Sequence, residues 1–486
     1  MVFNSLEYLF FLPVVFLVYW SLSEAHQRIQ NTWLLAASWF FYGWWSPSFL
    51  LLLAASTLLD YLSAFGVAST NRRHAKFFLW LSLVTNIGLL CAFKYFDYFS
   101  QEFAKALGRL GWHYTPFLLD WVLPVGISFY TFHGMSYVID VFRSRQKPVR
   151  SLVDYGLFVS FFPLLVAGPI ERAHHLLPQI QARRVFKYCQ AMEGCRLLLW
   201  GMFKKVMVAD GLAPFADDVF QNYSQISPFG LVAGMLAFSV QIYADFSGYS
   251  DMALGSAKLL GFELLSNFKF PYFSRDIAEF WRRWHVSLSS WFRDYIYIPM
   301  GGSRVSRARA VFNTFIIFLI SGCWHGAGWH YIAWGGLHAM AFIPLLISGK
   351  HRKNVHGVVA MERRLPLFND FIQMILTFAW VSIAWVFFRS TSIGSALAYI
   401  KRMMGIGYGG YSRPLNPITI LVALPILLLF VGDWWLRRDE RVLRIPFYRS
   451  KILRLGLYIV LASLIFQSLL DVTISDKIQT FIYFAF

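Results

Sequence analysis

The sequence predicts an all-α, multi-pass membrane protein, and three observations carry that class. Of 486 residues, 57% are hydrophobic and only 14% are charged, with a mean hydropathy of +0.50, too apolar for an ordinary soluble chain. The apolar residues gather in runs close to the roughly 20 residues that a helix needs to cross a bilayer. The 44 Lys and Arg residues, which bring the formal net charge to +18, collect between those runs. That distribution orients membrane helices and argues against nucleic acid as a partner.

The first run is 6–20. No Lys or Arg precedes Arg28, so this run lacks the basic start of a cleaved secretion signal and is expected to stay as a membrane helix. Further runs lie at 32–45, 48–65, 77–95, 119–141, 189–208, 230–243, 310–323, 329–347, 371–388, 418–436 and 452–470. Together they predict about 10–12 membrane helices. Basic clusters at 72–76, 143–150, 269–309, 350–364 and 437–454 are assigned to the cytoplasm, and the acidic loop with Asp210, Asp217 and Asp218 to the outside. Both termini then fall on the periplasmic side, with Lys401, Arg402 and Arg413 running against the pattern.

Two stretches do not read as simple spans. Residues 151–168 are apolar but run into A-G-P-I-E-R, where Gly168 and Pro169 break a helix and Glu171 needs a partner, so a re-entrant or interfacial segment is expected. Residues 310–347 allow two crossings only with a tight turn at W-H-G-A-G-W, which would place His325 in a protein-lined cavity. Cys91, Cys189, Cys195 and Cys323 lack metal-ligand or disulfide spacing and are expected to be small buried side chains. No metal site follows. No repeat, low-complexity tract or soluble domain interrupts the chain, and 1–486 reads as one membrane domain.

Chemistry concentrates in three segments. In 267–309, aromatic and basic residues alternate, which suits amphipathic helices on the cytoplasmic membrane surface. Arg275, Arg282, Arg283, Arg293 and Arg304, with Trp281 and Trp284 among them, also suit a phosphorylated donor, because guanidinium binds phosphate with two parallel hydrogen bonds. His285 closes the W-R-R-W-H run. His325, beside Trp324 and flanked by Gly322, Gly326 and Gly328, is an ionisable group at membrane depth, which marks a functional site more often than packing. A neutral imidazole, with an ordinary pKa of about 6.5, can take a proton from an attacking hydroxyl. Asp245 and Asp251 in D-F-S-G-Y-S-D-M stand at the end of a predicted span, where they either cap a helix or line a tunnel.

The motifs P-V-G-I-S-F-Y-T-F (124–132), A-G-P-I (167–170), D-F-S-G-Y-S-D-M-A (245–253), F-W-R-R-W-H-V-S-L-S-S-W-F-R-D-Y (280–295), G-G-S-R (301–304) and C-W-H-G-A (323–327) resemble the membrane-bound O-acyltransferases. The similarity extends over nearly the whole chain and is nearest to the bacterial alginate O-acetyltransferase branch. It implies a ring of tilted helices around a central funnel, with interfacial and re-entrant helices, in the bacterial inner membrane. It implies no bound cofactor, with acetyl-CoA as donor substrate. His325 matches the family's essential histidine and His285 its second characteristic histidine. It further implies a relay of acetyl across the membrane for O-acetylation of an extracytoplasmic polysaccharide, alginate, cellulose or peptidoglycan, with periplasmic or membrane-anchored acetyltransferase partners. The aromatic tail 472–486 is either an interfacial anchor or, through Tyr483, a carrier of the acetyl group, phenolate being a better leaving group than an alkoxide. Two other readings compete: a transporter with a His/Asp pathway, and an enzyme acylating lipid or protein.

Overall fold

Helices start where a short polar side chain stands ahead of an apolar run. In the computed structural model of the chain, Ser5 accepts from the Tyr8 N–H at 3.3 Å, Asn71 from the Arg73 N–H at 3.0 Å and Ser306 from the Arg309 N–H at 3.4 Å. Each satisfies a donor that the first helical turn leaves without a partner. The structure describes residues 1–474 except 24–25, 167, 356, 411, 416–417 and 439–450. Among these, every regular element is helical. They cluster into two compact units: 1–198 with 252–265, and 199–251 with the described residues from 266 onward.

The first unit holds α1 (Leu6–Ser21), α2 (Gln27–Gly43), α3 (Pro47–Val67), α4 (Arg72–Lys94), α5 (Phe96–Arg109), α6 (Ile127–Phe142), α7 (Leu152–Ser160), α8 (Phe162–Leu165), α9 (Ala173–Gln181) and most of α10 (Tyr188–Met202). The expected span 119–141 begins later than predicted. Gly126, at φ 74°, starts it, and a Cβ there would lie 2.0 Å from the Leu165 carbonyl oxygen. The segment 151–168 is a helix broken at Phe161, where ψ reaches 116°. Glu171 beyond it is fully buried but satisfied, accepting from the Leu265 N–H at 2.6 Å and lying 2.8 Å from His175 Nδ1.

The second unit holds α11 (Asp210–Gln221), most of α12 (Pro228–Leu259), α13 (Ile277–Arg283), α14 (Val286–Phe292), α15 (Arg307–His325), α16 (Trp329–Ile347), α17 (Phe368–Arg389), α18 (Ile393–Met403), α19 (Ile420–Leu436) and α20 (Lys451–Ile474). Two π-helical turns, Phe203–Ala209 and Arg293–Tyr297, interrupt the regular hydrogen bonding. Among the described residues, 6 helices are long and apolar enough to cross a membrane: α3, α4, α12, α15, α16 and α17. Shorter apolar helices at Leu6–Ser21, Ile420–Leu436 and Leu455–Ser468 match the expected spans 6–20, 418–436 and 452–470, and another at Leu152–Leu165 falls in the expected re-entrant segment.

Four expectations are corrected. The span expected at 230–243 is the 32-residue α12, because Asp245 and Asp251 do not end it. The acidic loop of Asp210, Asp217 and Asp218 is helical, as α11; Asp217 pairs with Arg389 at 2.7 Å and Asp218 with Arg413, so cations on that side are matched by carboxylates. Segment 267–309 does not lie as surface helices: Phe280, Trp281, Trp284, Trp291 and Phe292 are core residues. Cys91, Cys189 and Cys195 are exposed and Cys323 half-buried, so the expectation of four buried thiols fails because their helices turn these positions away from the protein interior.

Candidate active site

The hairpin α15–α16 is built on close backbone approach. A Cβ on Gly322 would lie 2.3 Å from the Tyr331 carbonyl oxygen, and one on Gly335 would lie 2.2 Å from that of Phe318. Only glycine permits this crossing. It ends α15 at His325, which is 2% exposed and packs edge-on against Trp334 (ring centroids 5.0 Å apart), Phe388 (5.4 Å) and Trp324 (4.9 Å).

His285 reaches the same place from a different element. It joins α13 to α14 in a left-handed conformation, φ 43° and ψ 54°, an arrangement that costs a non-glycine residue about 1–3 kcal/mol and needs surrounding structure to hold it. The preceding strand-like stretch supplies that hold. Lys269 N–H donates to the Arg283 carbonyl at 2.9 Å, Val286 N–H to the Asn267 carbonyl at 2.9 Å, and Ser287 Oγ to Asn267 Oδ1 at 2.6 Å. The His285 ring is fully buried, 4.7 Å from Phe246 and 5.9 Å from Trp324. Burial depresses its pKa to about 3, so the imidazole is neutral. The structure therefore brings the two predicted histidines against one indole, that of Trp324.

The predicted basic mouth divides in two. Glu279, buried on α13, accepts from Arg275 Nε at 3.0 Å and Nη2 at 3.1 Å, and from Arg283 Nη2 at 2.9 Å and Nε at 3.1 Å. Arg275 and Arg283 are thus committed to a buried ion triad. Trp281 and Trp284 are likewise core residues, and the Trp281 indole N–H donates to His338 Nδ1 at 3.3 Å. The other arginines line a cavity of about 910 Å³ between α15, α16 and the Gly301–Arg304 turn. Arg282, Arg293, Arg304 and Arg352 face it together with Ser289, Ser303 and His351, and no carboxylate is among the lining residues. Its inner wall is Phe318 and Phe342; Phe318 stands 5.5 Å from Trp281 and 6.4 Å from His338. Arg282 also donates to the carbonyls of His351 (2.9 Å) and Asn354 (3.2 Å), which fixes the cavity's rim.

Asp245 and Asp251 sit inside α12, away from any helix end. Lys204 pairs with Asp251 at 2.8 Å, and Lys205 with Asp245 at 2.9 Å and Asp210 at 2.7 Å. The π-helical turn at 203–209 is what presents two consecutive lysines to one helix. Tyr483 lies outside the described residues. Sequence reasoning missed Lys204, Lys205 and His338. Each carried the signal that singled out His325, an ionisable residue inside an apolar run.

The model of the family described as MBOAT, membrane-bound O-acyltransferase, matches residues 74–388, which include both histidines and the whole cavity. The chain belongs to the membrane-bound O-acyltransferase family. This membrane-bound O-acyltransferase is 39% identical to the probable alginate O-acetylase AlgI of Pseudomonas aeruginosa over 412 residues, 84% of this chain and 75% of that one. It is 35% identical to the peptidoglycan O-acetyltransferase of Helicobacter pylori over 436 residues, 84% and 80% of the two chains. A teichoic acid D-alanyltransferase of Bacillus subtilis is 29% identical over 228 residues, 44% and 57%. The protein is thus a multi-pass membrane acyltransferase.

Proposed function

We propose that this membrane-bound O-acyltransferase takes acetyl from acetyl-CoA at its cytoplasmic face and passes it outward for O-acetylation of an extracytoplasmic polysaccharide of the alginate type. The observation that carries the reading is the cavity lined by four guanidinium groups and no carboxylate, one of them, Arg293, paired with Asp294 beside it at 2.8 Å, and with an apolar wall of Phe318 and Phe342 next to the histidine hairpin. Phosphates of a nucleotide donor suit the guanidinium rim, and a thioester arm suits the apolar wall.

In the proposed reaction His325 takes the proton of the acceptor hydroxyl as its oxygen attacks the thioester carbonyl. The C–O bond forms, the C–S bond breaks, and the proton passes to the departing thiolate. The aromatic shell of Trp324, Trp334 and Phe388 keeps water from the thioester. His285 braces Trp324 and completes that shell. Tyr483 is the proposed first acceptor, carrying acetyl as a phenyl ester to periplasmic or membrane-anchored acetyltransferase partners. The inner membrane, with both termini periplasmic, is the proposed setting. The relative named as a peptidoglycan O-acetyltransferase, of similar identity, supports peptidoglycan as the second acceptor reading.

The test is label transfer from [14C]acetyl-CoA to alginate, and separately to peptidoglycan, by the full chain in nanodiscs with a partner extract. His325→Ala is expected to lower transfer by about 100-fold or more at unchanged folding. Transfer at the wild-type rate by His325→Ala overturns the base assignment, and absence of transfer by wild type to either polymer overturns the function.

A further inference from the structure

α16 presents one face to the interior at four-residue intervals: Trp334, His338, Phe342, Leu346. The last two line the arginine-rimmed cavity, and the first packs against His325 at 5.0 Å. His338 lies between them, fully buried, 5.0 Å from Trp334 and stacked on Phe280 at 6.1 Å. The stripe therefore runs from the cavity wall to the histidine hairpin.

Two polar atoms on it have no acceptor among the described residues. His338 Nδ1 accepts the Trp281 indole N–H, so in the neutral ring the proton is on Nε2. That Nε2–H and the Trp334 Nε1–H are buried without a hydrogen-bond partner among the described residues. Leaving such a donor unmatched is costly, and both donors are open to an acceptor from outside the chain.

We propose that Trp334 Nε1–H and His338 Nε2–H form a two-point site for two carbonyl oxygens of the acyl donor, the thioester at Trp334 and the neighbouring pantetheine amide at His338. This rests on the donor reading given above. Spacing is what favours it. Residues four apart on a helix are about 6 Å apart along its axis, and the five bonds from a thioester carbon to the next amide carbon span about 6 Å at the roughly 3.5 Å per three bonds of an extended chain. The order also fits: the thioester would lie on the ring that touches His325, and the amide one turn nearer the cavity. Both are positioning residues; the donated bond to the thioester oxygen would strengthen as that oxygen gains charge.

The experiment compares acetyl-CoA with S-ethyl-CoA, a thioether lacking the thioester carbonyl, on the full chain in nanodiscs. Wild type is expected to bind acetyl-CoA about tenfold more tightly than S-ethyl-CoA, a preference worth one buried hydrogen bond. Trp334→Phe is expected to abolish that preference, while His338→Leu weakens both ligands about equally and His338→Gln, which keeps a donor, restores them. As a readout independent of any variant, the carbonyl stretch of [13C]acetyl-CoA bound to wild type without acceptor is expected at lower frequency than in solution. An unshifted stretch, or variants that bind and discriminate as wild type does, overturns the proposal. Failure of wild type to bind acetyl-CoA at all would instead overturn the donor reading beneath it.

Discussion

Replacing Gly335 by alanine tests the hairpin that carries His325. The new Cβ would lie 2.2 Å from the Phe318 carbonyl oxygen, 3.0 Å from its carbon and 3.5 Å from Gly322 Cα. Carbon and oxygen tolerate about 3.3 Å at closest, so α15 and α16 must separate by about 1 Å. All three obstacles are backbone, and no rotamer change can relieve them. Overpacking of this kind costs about 1–3 kcal/mol. A shift of about 1 Å at a reacting group costs about 100-fold in rate, and His325 terminates the displaced helix. The neighbouring Gly336 is the matched control: its Cβ would meet only Leu319 Cδ2, at 4.0 Å. Relief of glycine's entropy should stabilise Gly336→Ala by about 0.5–1 kcal/mol. Thermal unfolding in detergent and acetyl transfer in nanodiscs are measured for both. If Gly335→Ala unfolds at the wild-type temperature or matches Gly336→Ala, the crossing is not as tight as described.

Lys204→Met should destabilise the protein, by up to about 3 kcal/mol, by leaving the half-buried Asp251 without its cation, and Lys204→Met/Asp251→Leu should recover most of it; equal stabilities of single and double variants would show the pair to be unimportant. His285 titrates near 3 when folded, through burial, and near 6.5 when unfolded. The unfolded chain thus binds the extra proton in that window, so His285's contribution is complete above about pH 6.5 and declines as pH falls toward 3, by at most about 1.4 kcal/mol per unit. His285→Gln should flatten that stretch of a denaturation-against-pH curve; an unaltered slope would refute the burial argument. Arg304→Ala and Arg352→Ala should raise KM for acetyl-CoA severalfold with little change in kcat, and leave KM for acetyl-pantetheine, which lacks the phosphoadenosine, unchanged. A parallel rise for both donors would place the phosphates elsewhere.

The lipid-facing helices were the legible ones. The run 329–347 coincides with α16, and 48–65 lies within α3, because hydropathy measures contact with lipid directly. α12 was cut to less than half its length because most of it is buried in protein, where Asp245 and Asp251 are tolerated by lysines that hydropathy cannot pair. The Arg/Trp segment was misread for a related reason. Alternating aromatic and basic residues describe an interfacial helix equally well, and the deciding residue, Glu279, stands four from Arg275 and four from Arg283, a triad that is readable only once a buried helix is considered. His325 was found because glycines and tryptophans surround it. His338 follows Trp334, Gly335 and Gly336 in a similar apolar run but sits inside a continuous helix with no turn beside it, and its unmatched Nε2–H sets it apart from an ordinary core histidine.

The lysine–aspartate pairs between the 203–209 turn and α12 bear on how the chain enters the membrane. An aspartate or lysine at the centre of an isolated inserting helix costs about 2.5–3.5 kcal/mol. α12 carries two aspartates, Asp245 and Asp251, and the segment before it carries Lys204 and Lys205, so either one threaded singly into lipid meets a penalty of about 5–7 kcal/mol. Paired, the two lysines offset the two aspartates of α12, although Lys205 is shared with Asp210. Biogenesis therefore favours retaining the earlier segment beside the translocon until α12 emerges, some 25 residues later in the chain, so that the two leave for the bilayer together with their lysines and aspartates already paired.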